Sequence, residues 1–442
     1  MGIFDNLVHP QSEAQMELLQ NILVMTYIIL IPYFCVLVGS SLLSVFFNKK
    51  GLKDDNPDYI KFAKRLIDLI TFNKSIVFAL GLVPMLSIVF VYAQFLKNVQ
   101  ANIFTYLLFS AILFICGVIF IYIYKYSFHL KDIFKYTKES EIDDASTLDE
   151  LNKYRSSSEK LYSEAGTSGL VLLLVSSFFF VGSIQLAADN IRWETSGFID
   201  LIFSLSSIVN YCLFLILSVT ISAASFLFVN YKKDIEQTAD ENWKELALKS
   251  GAAAIAILPL FIVLAVFVTP SAALSGEYFI YTVVTLGIVL LIAYKFYIAL
   301  KTKENNYTSM IFLFVLFVCL NIYKDHTAFA TTVKYQTAVI ADEHAKFVKE
   351  YKEGLGLFKE AVVNGEDIFK GRCVACHKFD AVVVGPPYNA TLPKYDGKFD
   401  DLVEYILNPY KIDPKYPAMP NQGLKPNEAK AVAEYIVNTY KK

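Results

Sequence analysis

Histidine is almost missing from this 442-residue chain: His9, His129, His326, His344 and His377 are all it has. Redox centres that carry electrons across a bilayer sit on paired histidines of facing helices, and oxygen-reducing centres need more still. No His here lies deep within an apolar run, so neither class can be built. His9 and His326 could pair only near one surface. Charge is also thin, at 19% Asp, Glu, Lys and Arg against about 25% in ordinary domains. A net charge of -2 with no basic cluster sets nucleic-acid partners aside. Inside the apolar runs the ionisable residues are Lys125 and Lys295, which can snorkel to an interface. The other polar groups there are mainly Gln94, Gln185, Asp200, Asn210 and Asn321, and so sparse a set argues against a pump or secondary transporter. Of the six cysteines, Cys35, Cys116, Cys212 and Cys319 stand singly in apolar surroundings and read as small buried hydrophobes. Only Cys373 and Cys376 form a pair with a chemical spacing.

What the chain has in excess is apolar surface: 55% hydrophobic and 15% aromatic residues, with a mean hydropathy of +0.44. A helix crosses a bilayer with roughly 20 apolar residues. Eight stretches come close, near 18–47, 75–96, 102–128, 167–188, 199–229, 250–269, 278–299 and 307–323. The first is expected to stay as a span, because "MGIFDNLVHPQSEAQM" supplies no basic residue before it and the run is too long for a cleaved signal.

Orientation follows from Lys and Arg, which concentrate in cytoplasmic loops. They fall after the odd-numbered spans: Lys49, Lys50, Lys53, Lys61, Lys64 and Arg65; Lys131, Lys135, Lys138, Lys153, Arg155 and Lys160; Lys232, Lys233, Lys244 and Lys249; Lys295, Lys301 and Lys303. The intervening turns offer only Lys97 and Arg192. This predicts a periplasmic N-terminus and, after eight spans, a chain that emerges in the periplasm beyond Tyr323. The charged segment 129–166 reads as a solvated cytoplasmic helical hairpin. Beyond the last span, Phe329, Val333, Ile340, Phe347, Val348, Tyr351 and Leu355 recur at mostly helical spacing up to Gly354 and Gly356, which predicts a stalk helix.

The segment "GRCVACHKFD", 371–380, holds Cys373, Cys376 and His377 as C-x-x-C-H, the attachment signature for c-type haem. Two thioethers would fix the porphyrin, with His377 reaching the iron from the same turn. Haem is attached to this motif on the periplasmic side, so motif and charge bias give the same topology. Met419 is the only Met after the motif, and no His follows His377. A thioether opposite the His raises the reduction potential; a Lys or Tyr ligand is the alternative. From about Leu357 to Lys442 the chain resembles a class I monohaem cytochrome c. The resemblance is carried in order by "NGEDIFKGRCVACH" with Gly365 and Phe369, by "GPPYNA" with Gly385 and Pro386, by "YPAMPNQGL" around Met419, and by "KPNEAKAVAEYIVNTY" as a closing helix. It implies one covalent haem c on Cys373 and Cys376, iron ligands His377 and Met419, and a pocket wall at Gly385 and Pro386.

The expectation is therefore an all-α protein of the bacterial inner membrane. It comprises a transmembrane bundle (1–323), a periplasmic stalk helix (324–356) and a periplasmic cytochrome c domain (357–442). Eight spans exceed what an anchor needs, and the chain lacks ligands for transmembrane electron transfer. That favours an electron-transfer subunit over a stand-alone enzyme. The partners expected are the lipid bilayer, other membrane subunits of a respiratory complex, and a periplasmic electron donor or acceptor. Two alternatives are a self-sufficient quinol:cytochrome c oxidoreductase and a redox sensor or assembly factor. A quinol would need polar partners toward the outer side, where Gln94, Gln185, Asp189, Asn190, Glu194, Asp200 and Glu277 fall. Turn residues meeting water and headgroups are the plainer account of those positions.

Overall fold

The computed structural model describes residues 9–97, 99, 102–137, 144–194, 197–231, 240–302, 306–355, 357 and 363–440. Lys138, Lys232, Lys233, Lys303 and Gly356 lie outside them. Among the described residues every extended element is helical, and strand pairing is limited to one isolated bridge between His377 and Val382. The chain forms two compact units, Met1–Phe347 and Val348–Lys442.

The first unit carries eight helices long and apolar enough to cross a membrane. They are α1 (Glu13–Lys53), α3 (Lys74–Phe95), α4 (Ile103–Tyr136), α5 (Ala145–Ala187), α6 (Leu205–Tyr231), α7 (Glu241–Val268), α8 (Gly276–Thr302) and α9 (Tyr307–Gly354). They correspond one to one with the apolar runs, but several outrun them. The expected hairpin at 129–166 consists of the ends of two spans. α4 continues to Tyr136, and α5 starts at Ala145 with Asp144 capping the amides of Ser146 and Thr147. Arg155 donates to the carbonyl of Phe134 at 3.0 Å, which ties the two extensions together; residues 138–143 lie outside the described residues. The fifth span begins at Leu205, because Arg192 bonds Ser204 Oγ and the carbonyl of Asp200 and sets Phe198–Ile202 apart as a separate helical turn. α9 runs unbroken from the last apolar run through residue 324 to Gly354.

A helix absent from the sequence reading, α2 (Pro57–Ile70), is capped by Asn56 and opened by Pro57. It buries Phe62, Ala63, Leu66, Ile67 and Ile70 on one face. Its polar face is braced by Lys64 on Asp132, by Asp68 on His129 at 2.9 Å, and by Asp58 on Asn242 at 3.1 Å. With Lys50 of α1 over the Tyr59 ring at 4.9 Å, these contacts gather the Lys-bearing ends of α1, α2, α4 and α7 at one end of the bundle.

Lipid tails are as apolar as Leu, so helices in a bilayer associate through close packing more than through a hydrophobic drive. The small-residue stretches serve that purpose here. A Cβ on Gly39 of α1 would meet the carbonyl oxygen of Ser218 in α6 at 2.1 Å. Ser40, Ser41, Ser44, Ser218, Ser222, Ala223 and Ala224 are all buried around that crossing. Phe34 fills the centre, with its ring 5.3 Å from Phe114, 5.7 Å from Phe180 and 5.5 Å from Phe214. Two lysines are buried where the sequence pattern flagged none: Lys244 in α7, and Lys324 in α9, 3.3 Å from Asp325 and facing the Tyr278 ring at 5.4 Å.

The second unit is built from α10 (Gly365–Ile368), α11 (Tyr388–Thr391), α12 (Phe399–Leu407) and α13 (Pro426–Tyr440). α13 presents Ala429, Val432, Ala433 and Ile436 at 3- and 4-residue spacing. That face packs with Phe369, Leu392, Leu402 and Ile406 into a small core of its own.

Candidate haem site in the C-terminal unit

α10 passes straight into a wider turn at Phe369–Cys373. It crosses α13 so closely that a Cβ on Gly365 would meet the carbonyl oxygen of Ala431 at 2.1 Å. Phe369 wedges this crossing, with Tyr435 at 5.4 Å and Phe379 at 5.6 Å between ring centroids. The attachment motif therefore leaves a fixed helix crossing. The amides of Cys376 and His377 both donate to the carbonyl of Cys373, at 3.1 and 3.0 Å, so the two thiols and the imidazole belong to one tight turn.

The chain then folds back over that turn. The amide of Gly385 donates to the Cys376 carbonyl at 2.8 Å, and the amide of Tyr388 to the Lys378 carbonyl at 3.0 Å. The imidazole of His377 is held from two sides. Its Nδ1 lies 3.0 Å from the carbonyl oxygen of Pro386. A carbonyl can only accept, so Nδ1 carries the proton and Nε2 keeps the lone pair. The ring rests on Gly385, where a Cβ would lie 2.3 Å from Cε1. Tyr388 covers it, with ring centroids 5.1 Å apart.

Met419 sits in an irregular loop between α12 and α13. Asn421 Nδ2 donates to the carbonyl of Leu407 at 2.9 Å and its Oδ1 accepts from Gly423 N at 2.8 Å, where Gly423 takes φ +64°. Arg372 Nη1 reaches the carbonyl of Gln422 at 3.3 Å and links this loop to the attachment turn. Cys373, Cys376, His377, Gly385, Pro386 and Met419 all line one cavity. The six residues singled out from the sequence are thus brought together. Arg372, Tyr388 and Asn421, which anchor the two loops, are not among the residues singled out, although each stands within a quoted motif, "GRCVACHKFD", "GPPYNA" and "YPAMPNQGL" respectively.

This donor set fits a c-type haem. It offers two thiols in one turn, an imidazole whose free lone pair is on Nε2, a thioether in a separately anchored loop, and Leu, Ile and Tyr walls. Burial, with Cys376 adding to it, pushes the free Cys373 thiol up to about 11, and burial likewise raises Tyr388. Both groups are neutral at ordinary pH, so the pocket introduces no charge from them.

The remaining histidines are engaged elsewhere or stand apart. His129 is bound to Asp68, and the ring of His9 stacks on Phe347 at 5.3 Å. Of the outer polar residues, Gln185 and Asp189 do meet, with Arg192, but around a cavity of about 10 Å³. That is room for a single water.

Residues 362–439 match the family described as cytochrome c. Over 78 residues the chain is 41% identical to cytochrome c-551 of Pseudomonas denitrificans, an alignment covering 16% of this chain and 94% of that protein. Over 73 residues it is 33% identical to cytochrome c-552 of Nitrosomonas europaea, covering 15% of this chain and 70% of that one. Through this C-terminal domain the chain belongs to the cytochrome c family, whose members carry covalently attached haem c.

Proposed function

We propose that the chain is a membrane-bound monohaem cytochrome c that passes single electrons at the periplasmic face, as a subunit of a respiratory electron-transfer complex. The observation that carries this reading is the convergence of Cys373, Cys376, His377 and Met419 on one cavity, with Nδ1 of His377 committed to Pro386. Bound haem c supplies a one-electron iron couple. The chain's own residues do the rest. Cys373 and Cys376 tether the group. His377 and Met419 are the iron ligands, each on a separately fixed segment. The Pro386 carbonyl holds the His377 tautomer and makes Nε2 a better donor. Leu392, Leu402, Ile406 and Tyr388 exclude water, which favours the less charged state of the centre.

The periplasmic assignment is supported by the gathering of basic helix ends at one end of the bundle. The subunit assignment is supported by the histidine count: with five His in the whole chain, none deep within an apolar run, the spans lack the paired histidines that a transmembrane haem needs. Purification from native membranes in mild detergent tests the proposal. The expected result is a c-type reduced spectrum that co-elutes with other redox subunits. A chain that purifies alone and reduces a soluble acceptor from quinol would overturn the subunit reading in favour of a self-sufficient oxidoreductase.

A further inference from the structure

A second cavity, of about 340 Å³, opens at the basic end of the bundle, within the roughly 300–1,000 Å³ typical of small-ligand sites. Three helix faces line it. α1 contributes Val45, Asn48, Lys49 and Leu52, a single stripe at i, i+3, i+4 and i+7. α4 contributes Tyr124 and Lys131, two turns apart. α5 contributes Glu159, Tyr162 and Gly166. The walls are fixed. Tyr162 donates to Asn48 Oδ1 between two buried side chains. The Tyr124 ring lies where a Cβ on Gly166 would be, 2.8 Å from Cδ2. Lys131 Nζ stands 4.5 Å over the Tyr162 ring.

We infer that this cavity binds the phosphate headgroup of an anionic phospholipid. The charge is right: two ammonium groups, Lys49 and Lys131, face one carboxylate, Glu159. The depth is right: the cavity lies where the apolar runs of α1, α4 and α5 give way to their Lys-bearing ends, the level of headgroups. The lining is amphipathic in the manner of a lipid. Val45 closes the cavity toward the apolar run of α1, and beside it Phe46, 56% exposed and about one turn nearer that run than Lys49, gives acyl chains an apolar edge below the phosphate. Basic pockets between transmembrane helices hold anionic headgroups by this combination. The lipid would join α1 to the α4–α5 hairpin through the two lysines.

The test is a native mass-spectrometric titration of the full-length holoprotein in detergent with phosphatidylglycerol, phosphatidylcholine and inorganic phosphate. Both lipids present the same phosphodiester, but phosphatidylcholine also sets a quaternary ammonium beside Lys49 and Lys131, so phosphatidylglycerol should bind the wild-type chain about tenfold more tightly. Lys49→Gln with Lys131→Gln should abolish that preference. Lys53→Gln with Lys160→Gln removes the same charge from the neighbouring ends of α1 and α5 without touching the cavity, and should leave it intact. Glu159→Gln, at an exposed position, should strengthen phosphatidylglycerol binding a few-fold. Equal binding of the two lipids by wild type, an equal loss in the control pair, weaker binding by Glu159→Gln, or competition by inorganic phosphate at matched concentration would each overturn the inference.

Discussion

Gly385 is the position where a single methyl group most directly tests the construction of the haem site. Alanine there would place Cβ 2.3 Å from Cε1 of His377 and 2.9 Å from Nε2, against ordinary contact at 3.4 Å and beyond. The ring must retreat by about 1 Å, since the residue beneath it is backbone. Retreat removes Nδ1 from its 3.0 Å contact with the Pro386 carbonyl, a loss of about 1 kcal/mol. The added methyl in a filled site costs a further 1–3 kcal/mol or so. Gly385→Ala should therefore destabilise the C-terminal unit by about 2–4 kcal/mol, as the sum of these two effects. Pro386→Ala keeps the carbonyl that accepts from Nδ1 and places no atom against the ring, so it should cost less than Gly385→Ala. The assay is guanidinium unfolding of the full-length holoprotein in detergent followed by haem absorption, because far-ultraviolet ellipticity is dominated by the bundle. A Gly385→Ala midpoint indistinguishable from wild type would refute the claim that Gly385 is the cradle of the imidazole.

Three further outcomes follow from particular contacts. Gly365→Ala drives Cβ into the Ala431 carbonyl at 2.1 Å, whereas Gly371 has nothing within 4 Å; the same unfolding assay should show a loss of about 2 kcal/mol or more for the first and no loss for the second. Asp144 is held at about 2, below its usual 3.8, by the hydroxyls and amides of Thr147 and Ser146. Its cap is fully present above about pH 4 and disappears as pH falls through about 2, so the protection factors of the Ser146 and Thr147 amides, taken relative to the intrinsic exchange rate at each pH, should fall over that window and be flat above it. A topology reporter inserted at residue 145 should report the cytoplasm and one at residue 272 the periplasm; the reverse pattern would invert the proposed orientation.

Much of this architecture was legible because composition and spacing carry it. Apolar runs announce eight spans, and C-x-x-C-H with Gly385, Pro386 and Met419 announces the haem pocket. What stayed hidden is amphipathic or long-range. α2 escapes a hydropathy reading because its apolar residues at 62, 63, 66, 67 and 70 form one face of a helix too short and too charged to register as a span. The start of α5 lies far ahead of its apolar run because a hydropathy window does not sense the polar turns that Asp144 nucleates. Buried Lys324 is invisible until α8 supplies the Tyr278 ring. The anchoring of the Met419 loop by Arg372 and Asn421 depends on partners 50 and 14 residues away in sequence, a distance over which no local pattern extends.

The measurement that bears most directly on the central claim is the intact mass and reduced absorption spectrum of the purified full-length chain, compared with Cys373→Ala and Met419→Ala. The account predicts a mass raised by one haem and a c-type spectrum. Covalent haem should be lost in Cys373→Ala, and in Met419→Ala it should be retained with a lowered reduction potential. A wild-type chain carrying no covalent haem, or a Met419→Ala chain with an unchanged potential, would contradict it.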